Sequence, residues 1–197
     1  MNMSNSENFN LPPYEEWKRQ VECENEWRTY RGQRAVWKIG RITVVDKNGH
    51  AINHCGYELL KEVLKKLDFG DRTEGLHIAQ VVEFDHPVGY NECVITTEND
   101  RVVYLQRHQR ANVTRFALDR VPEPCNTVYV ILDQIGDTDR FIFRTAYVGI
   151  KSGREPWDGF ATAEDVEFWK THALVAPADA DESDDLGDST YWRKGAR

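Results

Sequence analysis

The sequence predicts an α+β fold, with a central antiparallel β-sheet of four to six strands packed against N-terminal helices and a short C-terminal helix. Three observations predict it. Residues 127–150, TVYVILDQIGDTDRFIFRTAYVGI, read as two strands about a turn of Gly136, Asp137, Thr138 and Asp139. Apolar residues recur at helical spacing in 14–30 and again in 50–67. Several short β-type runs lie between the second of these and the hairpin. The hairpin is apolar enough to belong in the middle of a sheet, because such a strand at an edge invites aggregation.

The elements follow in order. Residues 1–11 are polar, rich in Asn and Ser, and expected to be disordered. Pro12 and Pro13 open a docking helix over 12–31, with Trp17, Val21, Glu24 and Trp27 at spacings of three and four. Residues 33–46 read as one strand ended by Lys47-Asn48-Gly49. Ile52, Leu59, Leu60, Val63, Leu64 and Leu67 make a helical stripe, so 50–67 is expected to be an amphipathic helix capped by Asn48 or Asn53. Residues 72–84 fit a short helix or a strand. Residues 92–97 and 101–107 suggest a hairpin about Glu98-Asn99-Asp100, and 112–118 a further strand. In the return strand of the central hairpin, a period of two places Phe141, Phe143, Thr145 and Tyr147 on one face. Thr162 caps a short helix over 162–172, with Glu164 and Asp165 in its first turn. These elements divide the chain into a single α+β domain over 32–156, a loop and helix over 157–175, and an acidic tail over 176–197 expected to be disordered.

Composition narrows the function. The chain has 197 residues, 40% hydrophobic and 29% charged, and a net charge of −8. No apolar run approaches the roughly 18 residues of a membrane span, and no basic, apolar leader opens the chain, so a cytoplasmic protein with no membrane partner is expected. The acidity is local. Asp158, Glu164, Asp165, Glu167, Asp179, Asp181, Glu182, Asp184, Asp185 and Asp188 face Lys170 alone. In contrast, Arg101, Arg107, Arg110, Arg115, Arg120 and His108 face only Asp119 across 101–120, with Tyr104 and Phe116 interleaved. Arginines with aromatics on strands suit a single-stranded nucleic acid, and they equally suit a hairpin paired with acids of the tail. Cys23, Cys55, Cys93 and Cys125 form no Cys-x-x-Cys, so reduced thiols are expected. His50, His54 and Cys55 cluster, but no second half of a zinc motif accompanies them. Neither a metal nor another cofactor is expected.

A histidine-bearing helix, an antiparallel sheet and a last strand ending in Thr-Ala-Tyr follow in this order. The segments are VVDKNGHAINHCGYELLKEVLKKL, RVVYLQRHQRANVTRF, and TVYVILD with RFIFRTAYVGI. Over residues 34–150 this order resembles the barnase–EndoU–colicin–RelE group of small RNase and toxin domains, although Val148 stands where many members carry proline. The resemblance implies metal-independent endonucleolytic cleavage of RNA through a 2′,3′-cyclic phosphate. It assigns catalysis to His54, Arg115, Thr145 and Tyr147. His54 would move a proton, Arg107 and Arg115 would hold phosphate, and Thr145 and Tyr147 would position phosphate or supply the acid. Arg107, His108, Arg110 and Arg144 would bind nucleic acid. The implied partners are RNA and an inhibitor or antitoxin-like protein. Two other readings stay open. One is a non-catalytic module that binds or regulates a protein or nucleic acid. The other is a phage- or plasmid-borne accessory protein whose acidic tail mimics DNA.

Overall fold

The computed structural model describes residues 11–30, 35–70, 75–107, 112–189 and 191–192. In chain order they form α1 (Tyr14–Tyr30), β1 (Ala35–Ile39), β2 (Ile42–Asp46), α2 (His50–Cys55), α3 (Tyr57–Lys66), β3 (His77–Glu83), β4 (Gly89–Asn91), β5 (Cys93–Ile95), β6 (Val102–Gln106), β7 (Val113–Ala117), β8 (Glu123–Cys125), β9 (Thr127–Gln134), β10 (Arg140–Val148), α4 (Ala163–Thr171), β11 (His172–Val175) and a 3-10 turn at Glu182–Asp184. The fold is α+β. The chain divides into two compact units, Met1–Tyr90 with Pro124–Ile150, and Asn91–Glu123 with Lys151–Arg197. Strands β4 and β8 form a short two-stranded ladder. No helix among the described residues is long and apolar enough to cross a membrane.

The first unit is a five-stranded sheet in the order β1-β2-β10-β9-β3. Neighbours are antiparallel except β2 and β10, which run parallel. The apolar hairpin β9–β10 therefore has a strand on each side, as its composition requires. Val128, Val130, Leu132, Phe141, Phe143, Ala146 and Val148 pack under Ile52, Leu60, Val63 and Leu64 of α2 and α3. The single strand expected over 33–46 is instead a hairpin. Gly40, at φ 59°, supplies the left-handed turn that joins β1 to β2. The single helix expected over 50–67 is two. Gly56, at φ 75° and ψ 162°, breaks it, and Glu24 of α1 accepts a hydrogen bond from the Tyr57 N–H at 2.9 Å to start α3.

The return strand also departs from simple alternation. Phe143 pairs with Leu132 and Thr145 with Ile131, so Arg144 is an inserted bulge residue. Before the bulge the odd residues Phe141 and Phe143 enter the core. After it the even residues Ala146 and Val148 do. Thr145 and Tyr147 stay together, two residues apart with no break between them, but they do not share a face with the phenylalanines.

The second unit is a four-stranded sheet in the order β5-β11-β7-β6. The hairpin expected over 92–107 does not pair with itself. β11 and β7 lie between its two strands, β11 antiparallel to β5 and parallel to β7. Small side chains make room for it: Ala117 and Ala173 pack with Val94 at full or near-full burial. Thr162 caps α4 as expected, in a reciprocal capping box with Asp165. The acidic segment expected to be disordered is laid along the edge of β6. Asp185 Oδ1 accepts from the Tyr104 N–H at 2.8 Å, and the Leu186 N–H donates to the Tyr104 carbonyl at 3.0 Å. Edge strands leave backbone groups unpaired, and this segment satisfies them. Tyr191, inside the same acidic stretch, is fully buried.

Candidate functional site

The first unit brings two histidines and a threonine together. Strand β2 ends at Asp46, which is buried, and the chain turns through Lys47, Asn48 and Gly49. Gly49, at φ 70°, is the N-cap of α2, in place of the expected Asn48 or Asn53. Asp46 reaches over the turn, and its Oδ2 accepts from the Ile52 N–H at 3.0 Å. That bond does the work of a side-chain cap and fixes the first turn of α2 to the end of β2. His50 is thereby the first helical residue, and His54 lies one turn on along the same side. Their ring centroids are 4.9 Å apart, edge to face at 82°. Both side chains are exposed.

Thr145 arrives from β10. It follows the bulge residue directly, and α2 packs along this strand. Its Oγ1 lies 3.2 Å from His50 Nε2. The histidine in contact with the threonine is thus His50, and the expected His54 packs its ring against that of His50. The spacing of four between His50 and His54 on a helix was the available signal.

Arg144 and Tyr147 have other neighbours. Arg144 Nε donates to Asp133 Oδ2 at 2.8 Å, and His77 Nδ1 lies 2.7 Å from Asp133 Oδ1. Asp133 sits between them across three strands. Burial pushes its carboxyl upward, but the hydrogen bonds from His77 and Arg144 outweigh this and hold it below the usual range. Tyr147 pairs across the ladder with Tyr129, ring centroids 5.5 Å apart. Cys55 is in the core, where burial pushes its thiol far up and away from the thiolate a metal needs. Among the described residues no group of three or more His, Cys, Asp or Glu gathers as a metal site.

The second unit holds the other expected residues. Arg115, in β7, is 9% exposed; its Nη1 donates to Thr96 Oγ1 at 3.0 Å and to the His172 carbonyl at 2.5 Å. Arg107 Nη2 lies 3.7 Å from Glu155 Oε2. Arg101 bridges Asp119 and Glu182, and Arg120 bridges Asp100 and Glu123. The described arginines of 101–120 are therefore tied to acids and carbonyls, one of the acids belonging to the C-terminal segment. His108 and Arg110 lie outside the described residues.

Chemically, the first unit offers two imidazoles and a hydroxyl in contact at a solvent-facing site, a set suited to moving protons. The second offers buried cationic donors. No family model, no curated protein and no solved structure matches the chain.

Proposed function

We propose that the first unit is a metal-independent RNA endonuclease whose proton transfers are carried by His50 and His54. The observation that carries the reading is the contact of two imidazoles, 4.9 Å between centroids, with Thr145 Oγ1 3.2 Å from one of them. The order of a histidine-bearing helix and an antiparallel hairpin ending in Thr-Ala-Tyr supports it.

In this reading one imidazole, neutral, takes the proton of a ribose 2′-OH. The 2′-oxygen attacks the adjacent phosphorus in line. The P–O5′ bond breaks, and the second imidazole, protonated, gives its proton to the leaving 5′-oxygen. The products are a 2′,3′-cyclic phosphate and a 5′-hydroxyl. Thr145 orients His50 through its hydroxyl and offers a donor to a non-bridging oxygen. Positioned acid–base groups of this kind contribute about 10²- to 10⁴-fold each. Arg144 acts in this reading through Asp133, as part of the rigid strand that carries Thr145, and RNA is the partner.

The test is incubation of the purified protein with end-labelled RNA in excess EDTA, with the fragment ends assigned. Cyclic phosphate ends that vanish in both His50→Ala and His54→Ala are expected. Intact RNA at high protein concentration, or fragments unchanged in both variants, overturns the proposal and leaves the first unit as a binding module.

A further inference from the structure

We propose that β3 is the interface of a homodimer, in which the β3 strands of two copies pair antiparallel about a two-fold axis at Gln80 and join their sheets into one. The proposal stands on the strand pairing of the first unit and does not rest on the cleavage reading.

A strand at the edge of a sheet presents a row of N–H and C=O groups that invite another strand, and folded proteins usually block it. The two larger sheets have four edge strands, β1, β3, β5 and β6. Three of them are blocked. On β1 the Tyr57 hydroxyl donates to the Val36 carbonyl at 3.2 Å. On β5 the Asn91 side chain bonds both the N–H and the carbonyl of Cys93, at 3.0 and 2.7 Å, and Arg120 Nη1 donates to the Ile95 carbonyl at 3.1 Å. On β6 Asp185 and Leu186 take the N–H and the carbonyl of Tyr104.

β3 is the exception, and at seven residues it is the longest of the four. Its ladder with β9 runs from His77 to Glu83 without a register shift, so no bulge turns the edge away. The strand holds no proline or lysine. Just beyond its ends, the Gln134 N–H donates to the Leu76 carbonyl at 2.9 Å and the Phe84 N–H to the Asn126 carbonyl at 2.8 Å. Antiparallel strands alternate bonded and non-bonded pairs. Ile78, Gln80 and Val82 therefore also bond to β9, while His77, Ala79, Val81 and Glu83 turn their N–H and C=O groups outward. Among the described residues none of these outward groups has a partner. The Gln80 side chain bonds the Asp68 N–H and carbonyl at 3.3 and 2.7 Å, which anchors the strand without using its outward groups.

The sequence of the strand selects a second copy of itself. Antiparallel pairing centred on Gln80 sets His77 opposite Glu83 and Ala79 opposite Val81, and the two-fold axis repeats both pairs. In this register every outward residue meets an outward residue, so each facing pair exchanges two backbone hydrogen bonds. A basic side chain faces an acidic one at both ends, and no like charges meet. Opposite charges directly across a ladder stabilise it, and like charges destabilise it. Val81, 50% exposed in the single chain, packs beside Ala79 of the other copy. A slip of two residues in either direction sets Glu83 opposite Ala79 or His77 opposite Val81 and loses both charge pairs.

The experiment is sedimentation equilibrium of the full chain from micromolar to millimolar concentration, on the wild type, Val81→Pro and Glu83→Lys. Val81→Pro removes an outward N–H and sets its ring in the path of the second strand, while the ladder to β9 uses neither. Glu83→Lys puts a base opposite His77 at both ends. The wild type is expected to dimerise reversibly, and each variant to raise the dissociation constant about tenfold or more. Unfolding midpoints measured alongside separate lost pairing from lost folding. Glu83 is exposed, so Glu83→Lys decides the matter should Val81→Pro fail to fold. A wild type that stays monomeric at the highest concentration overturns the proposal, and so does wild-type dimerisation in the folded variants.

Discussion

Tyr191→Phe should make the protein more stable, against the usual behaviour of a buried tyrosine. The side chain is fully buried, and its hydroxyl has no hydrogen-bond partner among the described residues. An unpaired hydroxyl of this kind costs about 1–3 kcal/mol. Phenylalanine removes that cost and keeps the ring against Tyr104 at 5.3 Å, Trp192 at 4.9 Å and Trp169 at 6.5 Å. The void left by one oxygen returns about 0.3 kcal/mol at the rate found for cavities. The net gain is about 1 kcal/mol, or about 2–4 °C in Tm for a chain of this size. Urea unfolding followed by tryptophan fluorescence measures it. A loss of about 1 kcal/mol or more would refute the reasoning, since it would mean that the hydroxyl is paired.

Other perturbations test the rest of the fold. Gly89→Ala places a Cβ 2.6 Å from a Trp17 ring carbon and 2.8 Å from a Val148 methyl, so chemical denaturation should show a loss of about 1–3 kcal/mol. A thiol reagent at mildly alkaline pH should label exposed Cys23 first. Cys55 is in the core and Cys93 is pushed up to about 12 by burial, so both should wait for unfolding, and native labelling of Cys55 at the rate of Cys23 would contradict its place in the core. Asp133 titrates below its usual range, so it stabilises the fold above the ordinary aspartate pKa of about 3.9 and loses this as pH falls through its lowered value. Its side chain is 37% exposed, so Asp133→Asn should cost only about 0.5 kcal/mol at pH 7 and nothing in strong acid; a penalty that grows toward low pH would contradict the sign.

The parts of the fold that were legible in the sequence are those set by local pattern. The apolar hairpin, the helix opened by Pro12-Pro13 and the Thr162 cap each follow from residues within one or two turns of chain. The misread parts turn on single residues or on distant partners. Gly40 and Gly56 each break an element that hydrophobic periodicity runs straight through, because apolar spacing carries no information about φ. The Arg144 bulge is invisible to alternation, yet it decides which side chains of β10 reach the core. β11 enters between β5 and β7 because alanines there leave space, a fact of packing rather than of sequence order. The C-terminal stretch reads as disordered from its aspartates, while its fully buried Tyr191 outweighs them. At the site, Thr145 and the histidine pair were visible, but His54 drew attention from His50. Asp46 was not singled out. It matters through a hydrogen bond to a residue six positions away, which no motif records.

The central claim is that two imidazoles share the proton transfers at one site. Single-turnover cleavage of an RNA substrate across pH 4–9 tests it most directly, run on the wild type, His50→Ala, His54→Ala and the double variant. The account predicts a bell-shaped profile, each single variant losing one limb and about 10²- to 10⁴-fold in rate, and the double variant losing little more than the worse single. A rate independent of both histidines, or an unchanged bell in either variant, would contradict it.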